Sequence, residues 1–127
     1  GYGYAKMSGT AKQKLEQVIR NYINLSQEMV MLFVLIDCRH DIGKIDMDFL
    51  IELGQSRIPF AIVFTKGDKF GPVALQQQIA RMKEQILELW EELPPTFVSS
   101  SESGMGREEI LDYIGSVLET IKEEEQI

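Results

Sequence analysis

The strongest constraint on the fold is the alternation of two hydrophobic patterns along the chain. Short, continuously apolar runs occupy residues 29–36, Phe60–Phe64 and Thr96–Val98. Stretches with apolar residues spaced three and four apart precede, separate and follow these runs. The short runs indicate buried parallel strands, and the spaced pattern indicates amphipathic helices. The alternation therefore predicts a three-layer α/β fold in which about three strands form a parallel sheet with right-handed crossovers and four helices cover it.

The predicted helices have recognisable limits. The first covers residues 11–25 and the second covers residues 46–55. The third begins at Gly71-Pro72 and stops at Pro94-Pro95, and the last follows the glycine loop Gly104–Gly106. Proline suits the first turn of a helix, where its missing N–H costs nothing, and disrupts a helix interior. The residues expected to face the core are Leu15, Val18, Ile19, Tyr22, Ile23, Phe49, Leu50, Leu53, Leu75, Ile79, Met82, Ile86, Leu89, Leu93, Ile110, Ile114, Val117, Leu118 and Ile121.

Composition narrows the class of protein. The 127 residues suit one domain, with 44% hydrophobic residues, 26% charged residues and a net charge of -7. The acidic balance, without a dense run of Lys and Arg, argues against a domain whose main task is to grip nucleic-acid phosphates. Cys38 is the single cysteine, so no intrachain disulfide can form. No apolar run approaches the roughly 18–20 residues of a membrane span, and we expect a cytoplasmic protein.

Three polar loops follow the three predicted strands, at residues 37–41, 65–68 and 99–102. Because ligands bind beyond the carboxyl ends of parallel strands, we expect these loops to form one rim. In the second loop, the Asp68 carboxylate can accept both N–H donors on one edge of guanine. Lys66 can lay its methylene stem on the face of the base, and the Thr65 hydroxyl can tie the turn to neighbouring loops. This loop is interpreted as a guanine-recognition corner.

The third loop complements the second. Ser99, Ser100 and Ser101 are small residues that follow a strand, so a backbone N–H of Ser100 or Ser101 can approach a base carbonyl closely. A donor to the guanine carbonyl, together with Asp68 on the two guanine N–H groups, would select guanine over adenine.

Other interpretations of these loops stay open. The segment around Asp68 also fits a solvated turn with a helix-capping carboxylate. Asp37 with Lys66 is also compatible with a phospho-acceptor receiver domain, and an α/β interaction domain without a ligand is a further alternative. The group Asp37, Cys38, His40 and Asp41 contains metal-ligand residue types, although a polar rim loop is the simpler interpretation.

A family resemblance rests on these motifs. Thr65-Lys66-x-Asp68, followed about thirty residues later by the serine triplet, resembles the base-recognition motifs of the translation-factor-like GTPases. Gly1-Tyr2-Gly3-Tyr4-Ala5-Lys6 resembles the end of the D-x-P-G-Y-G-Y-A segment of the EngB/YihA/YsxC family, and Asp37-x-Arg39-His40 is also similar to it. The resemblance implies GTP or GDP binding, Mg²⁺ and slow GTP hydrolysis in the intact protein. It also implies a bacterial role in large ribosomal subunit assembly and in cell division, including septation.

The sequence also departs from that family. The phosphate-binding motif G-x-x-x-x-G-K-[ST] does not occur in these 127 residues. Residues 1–127 are therefore expected to be the C-terminal, base-recognition part of such a domain, inactive as an enzyme alone. Residues 1–10 are expected to be a switch-like loop, with Gly1 near the γ-phosphate. A bare apolar edge at residues 29–36 predicts an edge-strand dimer or aggregation.

Overall fold

The computed structural model describes residues 31–125. The predicted helix at residues 11–25, the loop at Gly1–Lys6 and the first two residues of the run 29–36 lie outside this part of the chain. A short 3-10 helix at Gly67–Lys69 lies between the second strand and the second helix. The strands and helices are β1 (Leu32–Asp37), α1 (Lys44–Gln55), β2 (Phe60–Thr65), α2 (Pro72–Leu87), β3 (Thr96–Val98) and α3 (Arg107–Glu125).

The three strands form one parallel sheet in the order β1-β2-β3. Leu32 is paired with Phe60 at one end of β1, and Asp37 is paired with Thr65 at the other. On the other side of β2, Phe64 is paired with Val98. The register brings the carboxyl ends of all three strands to one edge, and the predicted α/β class with a parallel sheet is confirmed.

Helices cover both faces of the sheet. Because paired residues in a parallel sheet share a face, Phe33 and Phe97 lie on the opposite face from Val34 and Ile62. The ring of Tyr113 in α3 contacts Phe33 and Phe97, with ring centroids 6.3 and 5.1 Å apart. The other face packs on α1 and α2, which gives the three predicted layers. The core cluster on that face consists of Val34, Ile36, Cys38, Ile42, Leu50, Leu53, Phe60, Ile62, Phe64, Ile79, Met82 and Ile86.

The prediction of a buried first strand is wrong for one face of β1 in the described structure. Val34 and Ile36 are buried, but Leu35, on the face that α3 covers, is 54% exposed. The Tyr113 ring covers Phe33, which is two residues earlier on the same face, but Leu35 stays exposed. The central strand β2 is buried from Phe60 to Phe64, as predicted.

Helix limits and stripes also differ in places from the prediction. Helix α2 ends at Leu87, well before the two prolines, and Leu89 is exposed. The Leu89 N–H donates to the Ile86 carbonyl only three residues back, so the tighter last turn rotates Leu89 off the apolar stripe. Leu118 in α3 is exposed as well. None of the described helices is both long enough and apolar enough to traverse a lipid bilayer.

Candidate functional site

The loops that follow β2 and β3 meet at the edge of the sheet. The Ser100 hydroxyl donates a hydrogen bond of 2.6 Å to Oδ1 of Asp68. The backbone N–H of Gly67 donates to the Ser99 carbonyl at 2.9 Å, and the Ser99 N–H donates to the Phe64 carbonyl at 2.8 Å. The structure therefore brings the predicted residues Asp68, Ser99 and Ser100 together.

Two glycines allow this close approach. A Cβ on Gly67 would lie 2.9 Å from both Met105 Sδ and Val98 Cγ1, which is closer than real Cβ atoms come. Gly106 has φ +77°, and a Cβ there would overlap the Val98 carbonyl oxygen. Gly67 thus lets the second loop rest on the end of β3, and Gly106 lets the chain fold back over β3 into α3.

The Asp68 carboxylate is held as an anion. The Ser100 hydroxyl is the main cause that lowers the pKa of Asp68 below its ordinary value, and partial burial opposes it. The backbone N–H of Asp68 and the Lys69 ammonium lower the pKa of Asp68 further. Ser100 is only 3% exposed, and its hydroxyl oxygen also accepts from the Ser103 N–H at 3.1 Å. The buried Ser100 hydroxyl is held by the Ser103 N–H, and it therefore fixes Oδ1 of the Asp68 carboxylate.

Ser101 differs from Ser100 in its backbone. The Ser100 N–H donates to the Met105 carbonyl at 3.2 Å within the loop. Ser101 is exposed, and within residues 31–125 its N–H donates to no protein acceptor. Of the two backbone donors left open by the sequence, Ser101 is therefore the one available to a ligand.

The residues on the other side of the second loop connect it to β1. The Thr65 hydroxyl donates to the Ile36 carbonyl at 3.4 Å, and the Cys38 N–H donates to the Thr65 carbonyl at 3.1 Å. The Thr65 hydroxyl was expected to tie the turn to neighbouring loops, but in the structure it contacts the neighbouring strand β1. Lys66 follows in the left-handed region at φ 64°, and its Nζ lies 3.3 Å from Oδ2 of Asp37.

Asp37 is the centre of a second charged group. The Arg39 side chain donates to both carboxylate oxygens of Asp37, and the Arg39 backbone N–H donates to Oδ1 at 3.0 Å. These Arg39 contacts, with Lys66, hold the pKa of Asp37 well below its usual range despite burial. Burial raises the pKa of the Cys38 thiol, and the Asp37 charge adds to that effect.

The four residues considered for a metal site separate in the structure. Asp41 pairs with Arg81 at 2.8 Å and with Gln78 at 3.3 Å, away from the Asp37 pairing with Arg39. Cys38 is buried in the core cluster, whereas His40 is exposed. In the part of the chain that the structure describes, no three His, Cys, Asp or Glu side chains are grouped so as to hold a metal ion.

No role was predicted from the sequence for two charged residues of the site, Lys69 and Glu102. Lys69 Nζ lies 3.6 Å from Asp68 Oδ2 and 3.5 Å from Glu102 Oε2, so it bridges the two loops. Their positions were visible in the sequence, since each directly follows a recognised motif. Gly1, the remaining predicted site residue, lies outside the described residues.

Three relatives of this chain share one name. The chain is 49% identical over 117 residues to the probable GTP-binding protein EngB of Porphyromonas gingivalis, an alignment that covers 92% of this chain and 58% of the relative. It is 46% identical over 122 residues to the probable GTP-binding protein EngB of Phocaeicola vulgatus, and this alignment covers 96% of this chain and 61% of the relative. It is 42% identical over 121 residues to the probable GTP-binding protein EngB of Christiangramia forsetii, and this alignment covers 95% of this chain and 61% of the relative. The chain thus spans about three fifths of the length of these curated relatives.

Solved structures agree on the fold. The translation elongation factor SelB of Methanococcus maripaludis, without ligand, matches with a TM-score of 0.68 and 18% identity, covering 82% of this chain and 23% of SelB. SelB in complex with the GTP analogue GppNHp matches with a TM-score of 0.65 over the same shares. No protein-family model matches the chain. The resemblance found in the sequence is confirmed, because the chain is 42–49% identical over more than nine tenths of its length to relatives that are named EngB GTP-binding proteins.

Proposed function

We propose that this chain recognises the guanine base of GTP or GDP at the edge where the loops after β2 and β3 meet. The observation that carries the proposal is the contact of the Ser100 hydroxyl with Asp68 Oδ1 at 2.6 Å. This contact orients a carboxylate that accepts the N1–H and the amino N–H of guanine in a charge-assisted pair. The exposed Ser101 N–H donates to the guanine carbonyl, and Lys66 covers one face of the base.

The geometry supports selection of guanine over adenine. Adenine offers Asp68 neither of these donors, because its N1 carries no hydrogen and its C2 carries no amino group. At C6 it presents an amino group where guanine presents its carbonyl. An adenine base in this site would leave Asp68 and the Ser101 N–H without complementary partners. Unpaired polar groups of this kind discriminate strongly between ligands.

The names of the relatives support nucleotide binding as the function. The curated relatives are named GTP-binding proteins, and one structural neighbour holds a GTP analogue. The described residues contain no group of three His, Cys, Asp or Glu side chains arranged to hold a metal ion. The 127 residues also contain no G-x-x-x-x-G-K-[ST] motif. Magnesium binding and GTP hydrolysis are therefore proposed only for an intact EngB-type domain, and no hydrolytic step is assigned to these residues.

The cellular role extends this proposal. Action on a large ribosomal subunit precursor, a part in cell division and a cytoplasmic location all come from the family resemblance and from composition. Co-sedimentation with large-subunit precursors is the direct test of the first of these, with retention expected in the presence of GTP. The receiver-domain alternative gains no support, since Arg39 already donates to both oxygens of Asp37.

The test of base recognition uses the 127-residue chain. Its backbone amide resonances are followed during separate titrations with guanosine, GDP and ADP. We expect shifts in Lys66–Lys69 and Ser99–Glu102 with guanosine and GDP, and much smaller shifts with ADP. We expect weak binding, because phosphate contacts supply most of the affinity for nucleotides. Equal responses to GDP and ADP would contradict the proposal.

A further inference from the structure

Base recognition does not explain why Asp37 lies where it does. Asp37 ends β1, directly beside Thr65 in the sheet register, and its side chain is only 19% exposed. Its carboxylate is shared between Arg39 and the ammonium of Lys66. Strand β1 takes no part in the contact between the loops after β2 and β3. Its last residue, Asp37, nevertheless supplies a negative charge to Lys66 in the loop after β2.

The Lys66 side chain needs such an anchor. It carries four flexible methylene groups and is 42% exposed, so without a partner for the ammonium the side chain could take several directions. Its backbone is held on both sides, because the Thr65 carbonyl accepts from Cys38 and the Gly67 N–H donates to Ser99. With the ammonium held at Asp37, both ends of the side chain are fixed and the stem between them lies in one direction.

The anchor also separates opposite charges within the loop. Lys66 and Asp68 are two residues apart, and an unanchored ammonium would be drawn towards the Asp68 carboxylate. A second ammonium there, in addition to that of Lys69 at 3.6 Å from Oδ2, would compete with guanine for the oxygens of Asp68. Asp37 draws the ammonium in the other direction, towards the end of β1.

We infer that Asp37 is a positioning residue for guanine binding, which acts by holding Lys66 in the direction that covers the base. The Arg39 side chain supports this role, because its contacts keep the Asp37 carboxylate charged and fixed in place. The inference rests on the proposed function, and it assigns to β1 a part in binding the base.

The test is a double-mutant cycle on the 127-residue chain with GDP as the probe. The dissociation constant is measured from amide shifts for the wild type, Asp37→Asn, Lys66→Met and the double variant. Methionine keeps an unbranched stem and removes the charge. We expect each single variant to weaken GDP binding about three- to tenfold. We expect the double variant to bind no more weakly than either single variant, because all of them lose the same pair.

The control is Asp48→Asn, which disrupts the pair of Lys44 and Asp48 on α1. The Nζ-to-Oδ2 distance of that pair is also 3.3 Å, and the pair lies outside the candidate site and is more exposed than Lys66 and Asp37. We expect unchanged GDP affinity for this control. The ratio of GDP to ADP affinity is measured for each variant, and we expect Asp37→Asn to retain the preference for GDP because Asp68 and Ser100 are intact.

The outcomes separate the two proposals. If the wild type shows no guanine preference, the proposed function fails. If the wild type prefers GDP but Asp37→Asn binds it equally well, or if the single effects simply add, the positioning role is overturned and base recognition stands. Thermal unfolding of each variant checks that it is folded. If Asp37→Asn does not fold, Lys66→Met decides alone, and wild-type affinity in that variant would overturn the inference.

Discussion

The Ser100 hydroxyl donates to the Asp68 carboxylate across two loops that are 32 residues apart in the chain. This contact ties the end of β3 to the loop after β2, and it makes a buried serine the support of an acidic side chain at the surface. The candidate site therefore depends on the parallel sheet that aligns the two strand ends.

Replacement of Ser100 by alanine tests that support. We expect Ser100→Ala to weaken guanosine binding about tenfold, since a hydrogen bond to a charged group is lost. The pKa of Asp68 is expected to rise towards its ordinary value, because the main cause of its lowering is removed. Amide shifts report the affinity, and a side-chain carboxyl NMR titration reports the pKa. Ser101→Ala is the matched control, because its backbone N–H is kept and only an exposed hydroxyl is lost.

The stability of the fold is expected to depend on Asp37 and on pH. The pKa of Asp37 is lowered in the folded chain, so its stabilising contribution is present above the unfolded pKa of about 4 and is lost as pH falls below it. Asp37→Asn should therefore lower the free energy of unfolding by about 1–2 kcal/mol at pH 7. The deficit should shrink at pH 2.5. Urea unfolding of the wild type and the variant at both pH values measures this difference in the free energy of unfolding. An equal difference at the two pH values would show that the charge of Asp37 does not cause it.

Two glycines of one loop give a sharp comparison of backbone strain. Gly104 and Gly106 have φ values of +79° and +77°, but only at Gly106 would a Cβ overlap another atom. We expect Gly104→Ala to cost about 1–2 kcal/mol for the left-handed backbone alone. Gly106→Ala should cost clearly more, because the Val98 carbonyl must also move. Urea unfolding of the two variants decides, and equal losses would mean that the close approach does not constrain the fold.

Much of the fold and of the candidate site could be predicted from the sequence, because buried strands and the polar loops after them form recognisable local patterns. The continuous apolar run at Phe60–Phe64 indicated a buried strand, and parallel pairing placed the polar loops on one edge. The pairing of Lys66 with Asp37 could not be predicted, since it depends on the register of β1 against β2. The exposure of Leu35 and Leu89 was missed for a related reason. Hydrophobic spacing shows neither which residues a covering layer reaches nor where a last helical turn tightens.

Association through the first strand remains a prediction. Among the described strands β1 pairs only with β2, and an apolar strand edge invites pairing with another chain. We expect light scattering to detect dimers or larger species. Leu35→Lys should shift them towards monomer, because a lysine on an edge strand opposes pairing. Leu111→Lys is the control, since Leu111 in α3 is similarly exposed at 55%. A monodisperse wild-type monomer would contradict this prediction.

Asp68→Asn tests the central claim most directly. An asparagine presents an amide donor and a carbonyl acceptor in place of two carboxylate acceptors, which complements xanthine, with its second carbonyl, better than guanine. The measurement compares guanosine and xanthosine binding to the wild type and to Asp68→Asn by amide shifts of the 127-residue chain. The account predicts that the wild type prefers guanosine and that the variant prefers xanthosine. Unchanged preference for guanosine in the variant would remove Asp68 from the base site and contradict the account.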